Sequence, residues 1–150
     1  MDEHRITLRW SRDGGAFERG NYRSSHDIAF QGGQHLGVSA AAGYGGDAAL
    51  ADPEQILAAA LASCHMLTFL AVAANRKLVP DSYEDDAVAE LGKDAEGRMA
   101  VTRVTLRPRV RFSGAAVPSR EDVARLHERA HGACFIANSV KCEVVVEPRD

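Results

Sequence analysis

The stretch from Asp52 to Lys77, DPEQILAAALASCHMLTFLAVAANRK, constrains the fold more than any other part of the chain. Asp52 is a good helix N-cap, and Pro53 suits the first helical position. Glu54 puts a negative charge in the first turn, where the helix dipole favours it. Asn75, Arg76 and Lys77 supply stop signals at the other end. Between them, Ile56 to Ala74 contains no Asp, Glu, Lys or Arg. A helix apolar on nearly all faces has to be covered on nearly all faces. Its many alanines, the central Ser63, Cys64, His65 and Thr68, and the lack of a second apolar segment beside it argue for a core helix and against a membrane span.

The 150 residues fit one domain, spanning 1–150, with enough chain for a real core. A charged fraction of 26% and a net charge of -3 argue against nucleic acid as the main partner, because phosphate binders carry a basic excess. Met1 to His4 is polar and acidic, so no signal peptide is expected. Three cysteines are too few for a secreted disulfide scaffold. The expectation is a cytoplasmic protein with reduced thiols. The Gly-rich stretch around 32–46 lacks phosphate-loop spacing.

Arg5 to Trp10 alternates polar and apolar residues and reads as a first strand, with Asp13-Gly14 as a turn. Residues 16–30 read as further strands around a turn at Gly20-Asn21, and a short strand is expected near 36–38. After the helix, residues 82–86 read as a polar connector and Ala87 to Lys93 as a strand. Met99 to Phe112 reads as one long strand with a bulge near 101–103. Pro108 within it indicates an edge or a bulge. The stripe Arg103, Arg107, Arg109 and Arg111 reads as a solvated sheet face. Ser119 caps a second helix, with Asp122 reaching back, and Gly132 is its expected stop. Val140 to Glu147 reads as a closing strand. Segregated strands and helices predict an α+β fold with antiparallel sheets.

Cys64 has two readings. A free cysteine is commonly a small buried hydrophobe. Against that stand its neighbours Ser63 and His65, the second cysteine at Cys134 just past a helix end, and the redox roles that paired cytoplasmic thiols serve. Cys142 alternates with valines and reads as core. A metal site is the competitor, since His65, His127 and His131 add ligand types. However, adjacent Cys64-His65 is a poor bite for a tetrahedral ion, and neither CxxC nor HExxH spacing is present.

The chain resembles the OsmC/Ohr family of thiol peroxidases, which reduce organic hydroperoxides. The resemblance rests on Asp52-Pro53-Glu54-Gln55 followed by Ala58 to Met66, and on His131-Gly132-Ala133-Cys134 followed by Ile136-Ala137-Asn138-Ser139. It covers most of residues 50–147. It implies that Cys64 is the peroxidatic nucleophile and that Cys134 resolves its sulfenic acid as a disulfide. It also implies that Glu54 orients an arginine from the N-terminal strands. Arg23 is the choice for that arginine, with Arg19 and Arg12 open. No cofactor is implied; the reductant would be a dithiol such as a lipoylated protein. Phe135 stands where relatives more often show Pro, and the role of His65 is not assigned.

The chemistry fits those residue types. Peroxide reduction needs a thiolate, which a nearby arginine stabilises. A sulfenic acid is reversible only if a thiol captures it before further oxidation. Glu54 and Cys64 lie about 15 Å apart along the axis, so they cannot meet within one straight helix; if both serve one site, the glutamate comes from another subunit or the helix breaks. A single small chain can hardly cover the all-round apolar helix, so an intertwined homodimer is expected. The alternative is a non-enzymatic dimer of the same fold that binds an apolar small molecule or senses redox state.

Overall fold

The computed structural model describes residues 2–150. The chain divides into two compact units at Ile56/Leu57. In the first, β1 (Ile6–Arg9), β4 (His26–Phe30) and β5 (His35–Val38) form an antiparallel sheet in the order β1-β4-β5. Between β1 and β4 runs the small ribbon β2 (Phe17–Glu18) and β3 (Asn21–Tyr22), closed at Gly20 with φ +75°. The Asp13-Gly14 turn is also present, both residues at positive φ. It leads into the ribbon and does not join two neighbouring strands of the sheet.

Helix α1 (Pro53–Asn75) starts on a reciprocal cap: Gln55 N–H donates to Asp52 Oδ1 at 2.8 Å, and Asp52 N–H donates to Gln55 Oε1 at 3.1 Å. By length and a mean hydropathy of 2.1 it could cross a membrane. In the second unit, however, it lies on strands and on the second helix. Its buried side chains are Ala58, Leu61, His65, Phe69 and Ala73, one stripe at helical spacing. Ala59, Ser63, Leu67 and Ala71 are exposed. One chain thus covers only part of a helix whose sequence is apolar all round.

The strands under α1 are β6 (Val79–Asp85), β7 (Val88–Lys93), β8 (Met99–Leu106), β9 (Pro108–Ser113) and β10 (Glu143–Val146). They form a three-stranded sheet, β10-β8-β7, and an antiparallel pair, β6-β9. The sheets are antiparallel as expected, apart from β10, which joins β8 parallel. Helix α2 (Arg120–Ala133) carries the expected Ser119/Asp122 capping box. Ala58 and Leu61 pack with Val104 and Leu106, while Phe69 and Ala73 pack with Leu126 and Ala130 of α2. Leu61 is fully buried, and trimming such a side chain to Ala costs about 2–5 kcal/mol.

Three expectations are corrected. Residues 82–85 belong to strand β6, and of the expected connector only Asp86 lies outside it. Their polarity is matched by the partner strand, where Glu84 pairs with Arg109 at 2.6 Å. The long strand 99–112 breaks at Arg107, whose N–H donates to Asp85 Oδ1 at 2.7 Å, so β8 and β9 enter different sheets. Pro108 begins β9, where its missing donor costs little. Helix α2 passes through Gly132 to Ala133, and its C-cap is Cys134, whose N–H donates to the His131 carbonyl. The bulge falls as expected, opposite Glu90/Leu91. The arginine stripe is a solvated face whose charges are paired: Arg103 with Glu143, Arg107 with Glu147 and Arg109 with Glu84.

One polar contact ties α1 to α2 inside this packing. His65 is 1% exposed and His127 3%. His65 Nε2 and His127 Nδ1 lie 3.0 Å apart, with the rings nearly parallel at 7°. One imidazole donates and the other accepts, so at least the accepting ring must be neutral to share this bond. His127 also stacks on Phe69 at 4.4 Å. Burial, reinforced by nearby His131 for His65 and by His65 for His127, brings both down to about 4. Between that value and the ordinary 6.5, the unfolded chain binds protons that the folded chain refuses. Stability therefore holds above pH 7 and falls as pH drops from about 6.5 toward 4. Thermal melts at pH 7.5, 6 and 5 should show Tm falling, with a shallower fall in His127→Phe.

Candidate functional site

Cys64 lies one helical position before His65, on the flank of the buried stripe, and its side chain is half-buried. Cys134 caps α2 and is 1% exposed. The two thiols act on one another: the Cys134 side chain lowers Cys64, and Cys64 raises Cys134. After Cys134 the chain folds back as a tight turn. Asn138 N–H donates to the Cys134 carbonyl at 3.0 Å, and Ala137 N–H to Cys134 Sγ at 3.5 Å. This turn aims the backbone N–H groups of Ile136 and Phe135 at Cys64. Successive amides facing one atom make an anion-binding concavity.

The electrostatics separate the two thiols. Burial alone would raise Cys64. The Ile136 N–H, the Cys134 thiol, the Phe135 N–H and the Thr68 hydroxyl together outweigh it and bring Cys64 below the ordinary thiol range. Burial raises Cys134, and so does Cys64, because a thiolate there holds the Cys134 proton. Thr68 stands one turn after Cys64 and donates to its carbonyl at 2.8 Å. Burial also raises Cys142. It packs near Val144 and Val146, in keeping with the core reading. The pair can thus form a thiolate at Cys64 with a protonated thiol beside it.

The remaining residues singled out from the sequence lie in the first unit. Arg23 is ion-paired to Asp13, and its carbonyl accepts from Trp10 Nε1 at 2.7 Å. It lines an open cavity of about 720 Å³ with Trp10, Asp13 and His26. Arg12 donates to the Gly15 carbonyl at 2.7 Å, and Arg19 is exposed. Glu54 has one carboxylate oxygen, Oε2, buried without a hydrogen-bond partner. Helix α1 runs unbroken from Pro53 to Asn75, so Glu54 and Cys64 of one chain stay apart. Among the described residues, no group of three His, Cys, Asp or Glu side chains is arranged to hold a metal. Sequence reasoning missed the Ile136 and Phe135 amides and the Thr68 hydroxyl. Backbone donors leave no residue-type signal, but a threonine four residues after a helical cysteine is a readable one.

A paired-thiol centre on an α+β frame, one sulfur on a long apolar helix and the other at a helix C-cap, defines the class. The chain belongs to the OsmC-like protein family, whose model matches residues 45–149. It is 42% identical to an OsmC-like protein of unknown function from Vibrio cholerae, with TM-score 0.95, covering 99% of this chain and 100% of that one. The fold is also that of the organic hydroperoxide resistance protein OhrB of Bacillus subtilis, at 21% identity and TM-score 0.70 over 99% and 98% of the two chains. An organic hydroperoxide resistance protein from Elizabethkingia anophelis shares it at 19% identity and TM-score 0.73, over 99% and 94%. No curated protein matches.

Cys64 should ionise first of the three thiols. At neutral pH, iodoacetamide should label it well ahead of Cys134 and Cys142, read by peptide mass spectrometry. Thr68→Val should raise the pH midpoint of Cys64 labelling, and Thr68→Ser should restore it.

Proposed function

We propose that this protein is a thiol-dependent peroxidase that reduces organic hydroperoxides to alcohols. The observation that carries this reading is the mutual influence of two thiols of opposite tendency, Cys64 lowered and Cys134 raised. The Cys64 thiolate attacks the terminal oxygen of the hydroperoxide. The O–O bond breaks, a sulfur–oxygen bond forms, and the alkoxide leaves to take a proton as the alcohol. Sulfur is oxidised to sulfenic acid and the peroxide is reduced. Cys134 then gives up its proton and attacks the Cys64 sulfur; water leaves and a disulfide remains. A dithiol, such as a lipoylated protein in the cytoplasm, returns both thiols by exchange.

The working unit is an intertwined homodimer in which the 150 residues of each copy act as one OsmC-like domain. Two observations support this. The exposed apolar face of α1 needs a cover, and Glu54 Oε2 is a buried acceptor that lacks a donor. An arginine held by Glu54 would serve Cys64 of the other copy, stabilising the thiolate and the departing alkoxide. Arg23 is the residue assigned that role. Beside Cys64, Leu67 at 60% exposure and Phe135 at 81% offer apolar surface that suits an organic tail better than hydrogen peroxide.

With a dithiol reductant, a bulky organic hydroperoxide should be consumed much faster than hydrogen peroxide. Cys64→Ser should abolish turnover. Cys134→Ser should keep one stoichiometric round and lose sustained turnover, and Arg23→Ala should lower kcat/KM by about tenfold or more, on the scale of one lost charge-stabilising donor. Light scattering should give twice the 16.1 kDa of one chain. Equal rates with Cys64→Ser would overturn the peroxidase reading, and a mass of one chain would overturn the shared site.

A further inference from the structure

The two sulfurs lie on different helices, and the geometry of their meeting depends on what fixes α1 against α2. Most of that contact is apolar: Phe69 and Ala73 against Leu126 and Ala130. Apolar packing resists separation, yet packed helices can still shear by small slides. A hydrogen bond between two ring nitrogens is directional and fails within a fraction of an ångström. The His65–His127 bond at 3.0 Å is such a contact between the two helices. Its position is specific. His65 follows Cys64 directly, and His127 lies on the helix that ends in Cys134. Both rings are buried and nearly parallel, and Phe69 is stacked on His127, which limits their rotation. The outer nitrogens, His65 Nδ1 and His127 Nε2, have no partner, so the bond between the rings is the polar contact each ring makes.

We infer that His65 and His127 are a positioning pair that holds the helix of Cys64 and the helix of Cys134 in register for disulfide closure. The inference rests on the proposed peroxidase reading and adds control over the fate of the sulfenic acid. Two reactions compete for it. In closure, the Cys134 sulfur attacks the Cys64 sulfur and water leaves. In over-oxidation, a second hydroperoxide transfers its terminal oxygen to Cys64, giving a sulfinic acid and one more alcohol. Closure needs one sulfur to attack the other directly; attack on the first peroxide needs Cys64 ionised, which the amides after α2 assist without taking part in the bond change. Loss of the imidazole bond therefore slows closure more than it slows sulfenic acid formation.

The test uses the full chain as wild type, His127→Phe and His127→Gln. The glutamine can still hydrogen-bond His65, whereas phenylalanine fills the space without a polar atom. Closure is measured separately with diamide, which accepts two hydrogens from the two thiols and is reduced to its hydrazine. His127→Phe should close at least tenfold more slowly than wild type, and His127→Gln should recover most of that loss. With an organic hydroperoxide, the rate of Cys64 sulfenic acid formation should fall by less than the closure rate does, while the sulfinic share of Cys64 rises several-fold in His127→Phe. Closure as fast in folded His127→Phe as in wild type overturns the inference, and so does His127→Gln closing as slowly as His127→Phe. If His127→Phe does not fold, His65→Phe against His65→Gln gives the same contrast from α1, with the same two outcomes. A wild type that ignores hydroperoxide but shows the diamide contrast sinks only the peroxidase reading. Peroxide consumption with equal closure in all variants sinks only the positioning role.

Discussion

An uncharged helix in water has to be covered, and the cover available from one chain sets where the chemistry can sit. Strands β7, β8 and β10 take the first half of α1, while α2 with β6 and β9 takes the second. The stripe through Ala58, Leu61, His65, Phe69 and Ala73 is sealed. The stripe through Ala59, Ser63, Leu67 and Ala71 is not. Cys64 falls on the border between the two. A residue deeper in the stripe would be an inert core thiol, and one on the open face would have no amides around it.

The same local geometry acts on the two sulfurs with opposite sign. The turn after Cys134 points N–H groups at Cys64, and a negative charge there makes removing the neighbouring proton harder. Neither effect needs a cationic side chain. Two backbone amides, the Cys134 thiol and the Thr68 hydroxyl thus lower one thiol, and the charge there keeps the other protonated.

Much of this could be read from the residues. The helix was legible because capping and the lack of charge act locally. Cys64 and Cys134 were legible as a pair through a family resemblance, which periodicity alone would not have supplied. Where the reading failed, a distant partner decided. Residues 82–86 look like a connector because strand polarity is normally judged against a core, but β6 pairs its charges with those of β9. Arg107 interrupts a continuous alternation because Asp85, from another strand, captures its N–H. Gly132 has the composition of a stop, yet the helix ends where the Cys134 N–H closes on His131. The Phe135 and Ile136 amides carry no residue-type signature.

The arginine face has a consequence for how a molecule arrives. Arg103, Arg107 and Arg109 each stand against a carboxylate, so three of the four arginines in the stripe that the sequence displays are cancelled pair by pair. Paired opposite charges at contact distance project little potential beyond about 10 Å in ordinary salt. Those pairs do little to gather anions or repel cations over a distance. A neutral solute meets such a surface by plain diffusion, at a rate that changes little with ionic strength. Selection then falls to what fits once it has arrived.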